Sequence, residues 1–294
     1  MDLPLPAAAA SVAASLEPPP VLLARPARQT APIVFASAHS GRAYSADFVA
    51  AARLDALRLR RSEDSFVDEL FAAAPALGMP LACATFPRAY CDANREAWEL
   101  DPAMFDDALP PWVNTASPRV GAGLGTIARV VASGEPIYRG KLRFAEAEAR
   151  VQACWQPFHA ALGGLVAQTV AQFGACLLID CHSMPASALP PRGPADIVLG
   201  DAHGTACAPH LVRLVEQALT GLGFSVRRND PYAGGYITRH YGHPRQGVHA
   251  LQIEINRALY MDEARIERLD GFDALRDRLT RLMAQLANGA NSLG

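Results

Sequence analysis

Residues 175–185, Ala-Cys-Leu-Leu-Ile-Asp-Cys-His-Ser-Met-Pro, constrain the fold of this chain more than any other stretch. The apolar run 176–179 is too short for a free-standing helix and is bounded by Gly174 and Pro185, so it reads as a fully buried central strand of an α/β sheet. It discharges directly into Asp180 and His182. Open α/β sheets place their ligand sites at the carboxyl ends of such strands. A strand end also holds an imidazole rigidly, with a carboxylate and backbone groups nearby to fix its tautomer.

The rest of the chain alternates in a way that fits such a sheet. Pro32-Ile-Val-Phe-Ala-Ser37 reads as a strand by its β-branched and aromatic content, and it too ends in a polar cluster, Ala38-His39-Ser40-Gly41. Further strands are expected at 81–86, 197–199, 224–227 and 249–255. Helical periodicity marks 45–59, a segment opened by Ser62-Glu63-Asp64 with Phe66, Val67, Leu70 and Phe71 as its stripe, then 143–173, 207–222 and 262–286. Gly163-Gly164 marks a kink or junction in the third of these. The proline- and glycine-rich stretches 101–140 and 230–247 read as long loops, which in compact domains are usually covers or binding loops. The expected architecture is a three-layer α/β sandwich, with 1–31 as a flexible leader and 32–294 as a single domain.

Half of the 294 residues are hydrophobic, enough for a real core, and the net charge of -2 gives no reason to expect nucleic acid or an anionic membrane as partner. The basic knot Arg58, Arg60, Arg61 is followed at once by Glu63 and Asp64, and reads as solvated helix surface. The six cysteines form no CxxC pair, so they read as small buried hydrophobes in a reducing compartment. The leader lacks the basic and apolar regions of a signal peptide, and no stretch approaches the ~20 apolar residues of a membrane span. A soluble, cytoplasmic protein acting on a small molecule is the expectation.

There is no GxSxG elbow, HExxH or P-loop; Gly121-Ala-Gly-Leu-Gly-Thr126 follows no strand. What remains is a set of strand-end polar groups: His39, His182 and Glu254, with Asp64 at the start of the helix after the first of them. Two imidazoles and a carboxylate with an open position suit a catalytic zinc that activates water, and Glu254 is a candidate base beside it. Strand-end histidines also occur as hydrogen-bonded structural residues. A cysteine hydrolase built on Cys181 and His182 is disfavoured, because neighbours on one strand point to opposite faces.

The ordered set Ala38-His39-Ser40-Gly41, Glu63-Asp64, Asp92-Ala-Asn-Arg95, Asp180-Cys-His-Ser183, Gly235-Tyr-Ile-Thr238 and Gln252-Ile-Glu-Ile-Asn-Arg257 resembles the N-formylglutamate amidohydrolase family, over about residues 32 to 285. That family is similar in fold to the zinc carboxypeptidases and aspartoacylase-type deacylases, which implies a mixed central sheet. The resemblance implies one zinc ion per chain on His39, Asp64 and His182, Glu254 as general base, and Asn94-Arg95 as the pair gripping a substrate carboxylate. In the carboxypeptidases a ligating Glu stands three residues after the first His. Here that position is Arg42, which cannot bind a cation, so Asp64 takes the part, with Glu63 as its rival.

A planar guanidinium at Arg95 suits bidentate binding of a carboxylate. A glutamate-like substrate carries a second carboxylate, for which Arg139, Arg239 and His240 are candidates. Tyr236 either donates to a tetrahedral oxyanion or packs its loop, and Arg257 reads as a salt bridge holding the strand end. The expected activity is hydrolysis of N-formyl-L-glutamate to formate and glutamate. A deacylase of another N-acyl amino acid or small peptide, and a metal-free carboxylate-binding protein, are the alternatives.

Overall fold

The computed structural model describes residues 18–190 and 194–289, so positions 1–17 of the expected leader lie outside the described residues. The strands are β1 (Val21–Ala24), β2 (Ile33–Ser37), β3 (Leu81–Ala84), β4 (Cys176–Met184), β5 (Ile197–Gly200), β6 (Val226–Arg228), β7 (Val248–Asn256), β8 (Met261–Asp262) and β9 (Glu267–Arg268). The first helices are α1 (Ala46–Ala51), α2 (Ala56–Arg60), α3 (Val67–Leu70), α4 (Pro118–Gly121) and α5 (Phe144–Arg150). A π-helical turn, Val151–Trp155, leads into α6 (Gln156–Phe173), followed by α7 (Pro209–Gly221), α8 (Tyr236–Tyr241) and α9 (Gly271–Gly289).

By its contacts the chain divides into two compact units. The first holds residues through Leu22, His39–Glu63 and Ala84–Ala160; the second holds Leu23–Ala38, Asp64–Cys83 and the chain from Ala161 onward.

The sheet has seven strands in the order β1-β3-β2-β4-β7-β5-β6. It is mixed: β3, β2, β4 and β7 run parallel, and β5 is antiparallel to β7. In the second unit one sheet face is apolar. Leu177, Ile179 and Cys181 of β4 and Leu251, Ile253 and Ile255 of β7 pack with Val67, Leu70 and Phe71 and with the inner stripes of α7 and α9. Those stripes are Leu211, Val212, Val215 and Leu219, and Phe272, Leu275, Leu279, Leu282 and Leu286, spacings that put one side of each helix inward. Truncating a buried leucine of this face to alanine costs roughly 2–5 kcal/mol. On the opposite face α8 packs against β7 and β4, giving helix, sheet and helix layers around the central strands.

The first unit is built from α1, α2, α4, α5 and long loops over two apolar clusters, one around Phe48, Leu59 and Ile137 and one around Leu100, Phe105 and Ile127. The Arg150 guanidinium is buried there, 4.4 Å from the Tyr90 ring centroid and bonded at 2.6 Å to the Tyr138 hydroxyl. Gly41 is required by close approach: a Cβ there would lie 2.1 Å from the Phe86 carbonyl oxygen.

Several elements differ from the sequence reading. The helix expected over 45–59 is two short ones, because Ala52 leaves the helix to bridge Tyr138. The helix expected from Ser62 is regular only at α3, because Phe66 adopts a left-handed backbone with φ of 67°. Residues 21–24, expected within the leader, form the edge strand β1. Arg60 is not a solvated bystander, since it pairs with buried Glu63. No helix among the described residues is long and apolar enough to cross a membrane, and Cys91, Cys154, Cys176, Cys181 and Cys207 are buried.

Candidate active site

In the second unit, the face of β4 opposite Ile179 and Cys181 carries Asp180 and His182, two residues apart and so on one side of the strand. The parallel ladder sets Gln252 beside Asp180 and Glu254 beside His182. All four are buried. Asp64, just before α3, reaches the end of β4: its Oδ2 lies 2.8 Å from His182 Nδ1 and its Oδ1 accepts from Arg257 Nη2 at 2.9 Å. Arg257 also donates from Nε to Ser183 Oγ at 3.1 Å, so it holds the strand end as expected and holds Asp64 as well.

On the other side of the ring, Asp180 Oδ1 lies 2.9 Å from His182 Nε2. Burial works against a charged imidazole here, but the Asp180 and Asp64 carboxylates outweigh it and drive the His182 pKa well above its ordinary value. Glu254 is oriented from its own strand: Gln252 Nε2 donates to Glu254 Oε1 at 2.7 Å, and Gln252 Oε1 accepts from the Gly235 backbone N–H at 2.9 Å. Cys181 faces the apolar core, where burial and then Asp180 push its thiol pKa well above normal. That removes the chemistry a thiolate nucleophile would need.

The first unit gathers His39, Asp92, Asn94 and Arg95. His39 Nε2 lies 2.7 Å from Asp92 Oδ1, which also accepts from the Asn94 backbone N–H at 2.8 Å. Asp92 Oδ2 accepts from Arg88 Nη2 at 2.8 Å. Burial works to raise the Asp92 pKa, but Arg88, His39 and Arg95 hold it well below the usual carboxylate range. Arg95 donates from Nε to Leu124 O and from Nη1 to Asn94 O, both at 2.8 Å.

Glu63 and Asp64, the two rival candidates, make different bonds. Glu63 accepts from the Tyr44 hydroxyl at 2.7 Å and from Arg60 Nε at 3.1 Å through both oxygens, whereas Asp64 engages His182. The other expected substrate residues are less committed. Arg139 is exposed and donates to Ala52 O at 3.0 Å; Arg239 is exposed, its Nη1 3.4 Å from Gly235 O. The Tyr236 ring stacks on His240, with its hydroxyl 3.1 Å from His240 Nδ1.

Asp92 and Gln252 were quoted in the sequence patterns without a role. For Gln252 the available signal was its position two residues before Glu254, since residues two apart on a strand share a side; Asp92 precedes a turn, where that rule does not hold.

The sequence profile of N-formylglutamate amidohydrolase matches residues 31–261. An N-formylglutamate deformylase of Pseudomonas aeruginosa is 31% identical over 242 residues, 80% of this chain and 84% of that protein. A crystal structure of N-formylglutamate amidohydrolase from Ralstonia eutropha JMP134 superposes with a TM-score of 0.87 at 40% identity, covering 93% of this chain and 99% of the other. A gene product of Agrobacterium tumefaciens shares the fold, with a TM-score of 0.66 at 19% identity over 94% of this chain and 95% of the other. These matches place the chain in the α/β class of the R. eutropha enzyme. It belongs to the N-formylglutamate amidohydrolase family.

Proposed function

We propose that this protein hydrolyses the amide bond of N-formyl-L-glutamate, or of a closely related N-acyl amino acid, releasing formate and the free amino acid. The observation that carries the reading furthest is the buried Asp64–His182 pair with Glu254 as the register partner of His182. Membership of the family and the names of the two similar enzymes support the substrate class.

A divalent cation, zinc by the chemistry of its donors, is proposed on His39, Asp64 and His182, a buried set in which each residue offers one ligand atom. The donor chemistry fits. His182 has carboxylates at both ring nitrogens but, when neutral, only one N–H to give, so a second proton or a cation must answer the other. Asp92 bonds His39 Nε2, the arrangement that fixes an imidazole with Nδ1 as its lone-pair nitrogen. A cation bound there supplies Lewis acidity toward the formyl carbonyl and acidifies the attacking water.

Glu254, oriented by Gln252, takes a proton from that water as its oxygen forms a bond to the carbonyl carbon. The same carboxyl then returns the proton to the amide nitrogen as the C–N bond breaks. Asn94 and Arg95 hold a substrate carboxylate, which converts binding energy into orientation of the scissile bond. Arg139 and Arg239 are the proposed cations for a second carboxylate, and Tyr236 a proposed hydrogen-bond donor to the developing oxyanion. A turnover panel of N-formyl and N-acetyl amino acids, run with and without a chelator, tests the reading. Fastest turnover of N-formyl-L-glutamate, lost with chelator, is expected; no turnover of any N-acyl amino acid overturns it.

A further inference from the structure

The loop that carries Asn94 and Arg95 is braced from one helix by two side chains with no assigned role. Trp155 Nε1 donates to Arg95 O at 2.9 Å, and His159 Nε2 bonds Ala93 O at 2.8 Å. The acceptor is a carbonyl, so Nε2 carries the proton. The two rings lie against each other with centroids 3.9 Å apart. With Arg95 Nη1 on Asn94 O, three successive carbonyls, those of residues 93, 94 and 95, each accept a fixed donor. A backbone held this way cannot rotate its peptide planes without losing a bond.

The brace depends on the π-helical turn Val151–Trp155, closed by the Gln156 N–H on Val151 O. In an ordinary α-helix, residues five apart sit about 140° apart around the axis. An i→i+5 turn brings them close to one side, and such turns are rare in helices and concentrate at functional sites. Here it lets one continuous helix do two things. Arg150, just before the turn, reaches into the Tyr90 and Tyr138 rings. Trp155, at its end, and His159, one α-turn later, reach the 93–95 backbone. Both ends of the 90–95 loop are therefore fixed by the same helix, since Arg150 Nη1 also approaches Tyr90 O at 3.5 Å.

We infer that Trp155 and His159 are positioning residues for carboxylate recognition, acting through the backbone of Asn94 and Arg95. The inference rests on the proposed function, in which that pair holds a substrate carboxylate. Neither residue touches the reacting atoms. Their loss should therefore loosen substrate binding through one carboxylate and leave the hydrolytic step nearly intact.

The test compares Trp155→Phe, which keeps the ring and removes the N–H, with His159→Leu and the donor-retaining His159→Gln. Each is assayed with N-formyl-L-glutamate and with its two monoamides, one amidated at the α-carboxylate and one at the side chain. Trp155→Phe and His159→Leu should each raise KM about fivefold, the scale of one lost hydrogen bond, with kcat within about twofold. His159→Gln should recover most of the loss. The KM penalty should vanish for the one monoamide that lacks the carboxylate held by the loop. Equal penalties on all three substrates, or a fall in kcat with KM unchanged, overturn the inference and leave the function standing. Absence of turnover by the unmodified protein overturns the function and the inference with it. Melting temperatures of the folded variants separate either result from simple loss of structure.

Discussion

Glu254 and His182 are direct register partners on the parallel strands β7 and β4. Neighbouring strands lie ~4.8 Å apart, so a carboxylate and an imidazole emerge side by side from the interior of the sheet. The acid proposed to move protons is thus placed by backbone pairing, with Gln252 adding the orientation of one oxygen.

If Glu254 is the base, Glu254→Gln should keep the fold, KM and metal content while lowering kcat by roughly 10²–10⁴-fold. Steady-state kinetics with metal analysis on the same sample check this, and near-normal turnover would remove Glu254 from the role.

Asp64 and Glu63 should separate cleanly. Asp64→Asn is expected to lose stoichiometric metal. Glu63→Gln should retain metal, because its carboxylate serves Tyr44 and Arg60, and should instead lower the melting temperature. Plasma-emission metal counting and thermal denaturation of the two variants read the difference.

Arg257→Met should be among the most destabilising single changes in the second unit. It leaves Asp64 with a buried charge whose Nη2 partner at 2.9 Å is gone, and breaking a buried pair from one side costs about 3–5 kcal/mol. Denaturant unfolding of the metal-free proteins measures it.

His249 predicts a pH dependence away from the site. Burial, then His210, lower its pKa, and its Nδ1 accepts from the Ala208 N–H at the start of α7, a bond that protonation of Nδ1 would break. Because the folded pKa is depressed, the stabilisation is complete above the free imidazole value of ~6.5 and is lost as pH falls from there through the folded value. Melting curves between pH 5 and 8 should show a decline on the acid side that is smaller in His249→Gln.

How much of this was legible in the sequence depended on how each element announces itself. β2 and the start of β4 are short apolar runs that give way to polar residues, and β7 alternates, so these strands, with His182 and Glu254 on them and His39 just past β2, could be read from the sequence. Asp180 was legible as a nearby carboxylate because it shares a strand with His182. The region from Ser62 to Phe71 was read as a longer helix, since periodicity does not register the left-handed backbone at Phe66. β1 went unread because four residues behind three prolines carry no alternation. Trp155 and His159 were invisible for a physical reason: a π turn shifts the helical phase, so the side they present cannot be computed from a 3.6-residue repeat.

The two-by-two block of Asp180, His182, Gln252 and Glu254 has a consequence for how such an enzyme can change. Its spacing is set by main-chain pairing in mid-sheet, where insertions and slips are least tolerated, whereas Arg139 sits on an excursion of the chain, a kind of segment that varies at little energetic expense. Under the proposed function, a change of acylated amino acid would therefore fall on such excursions, while the proposed base and the imidazole beside it keep the spacing of their strands.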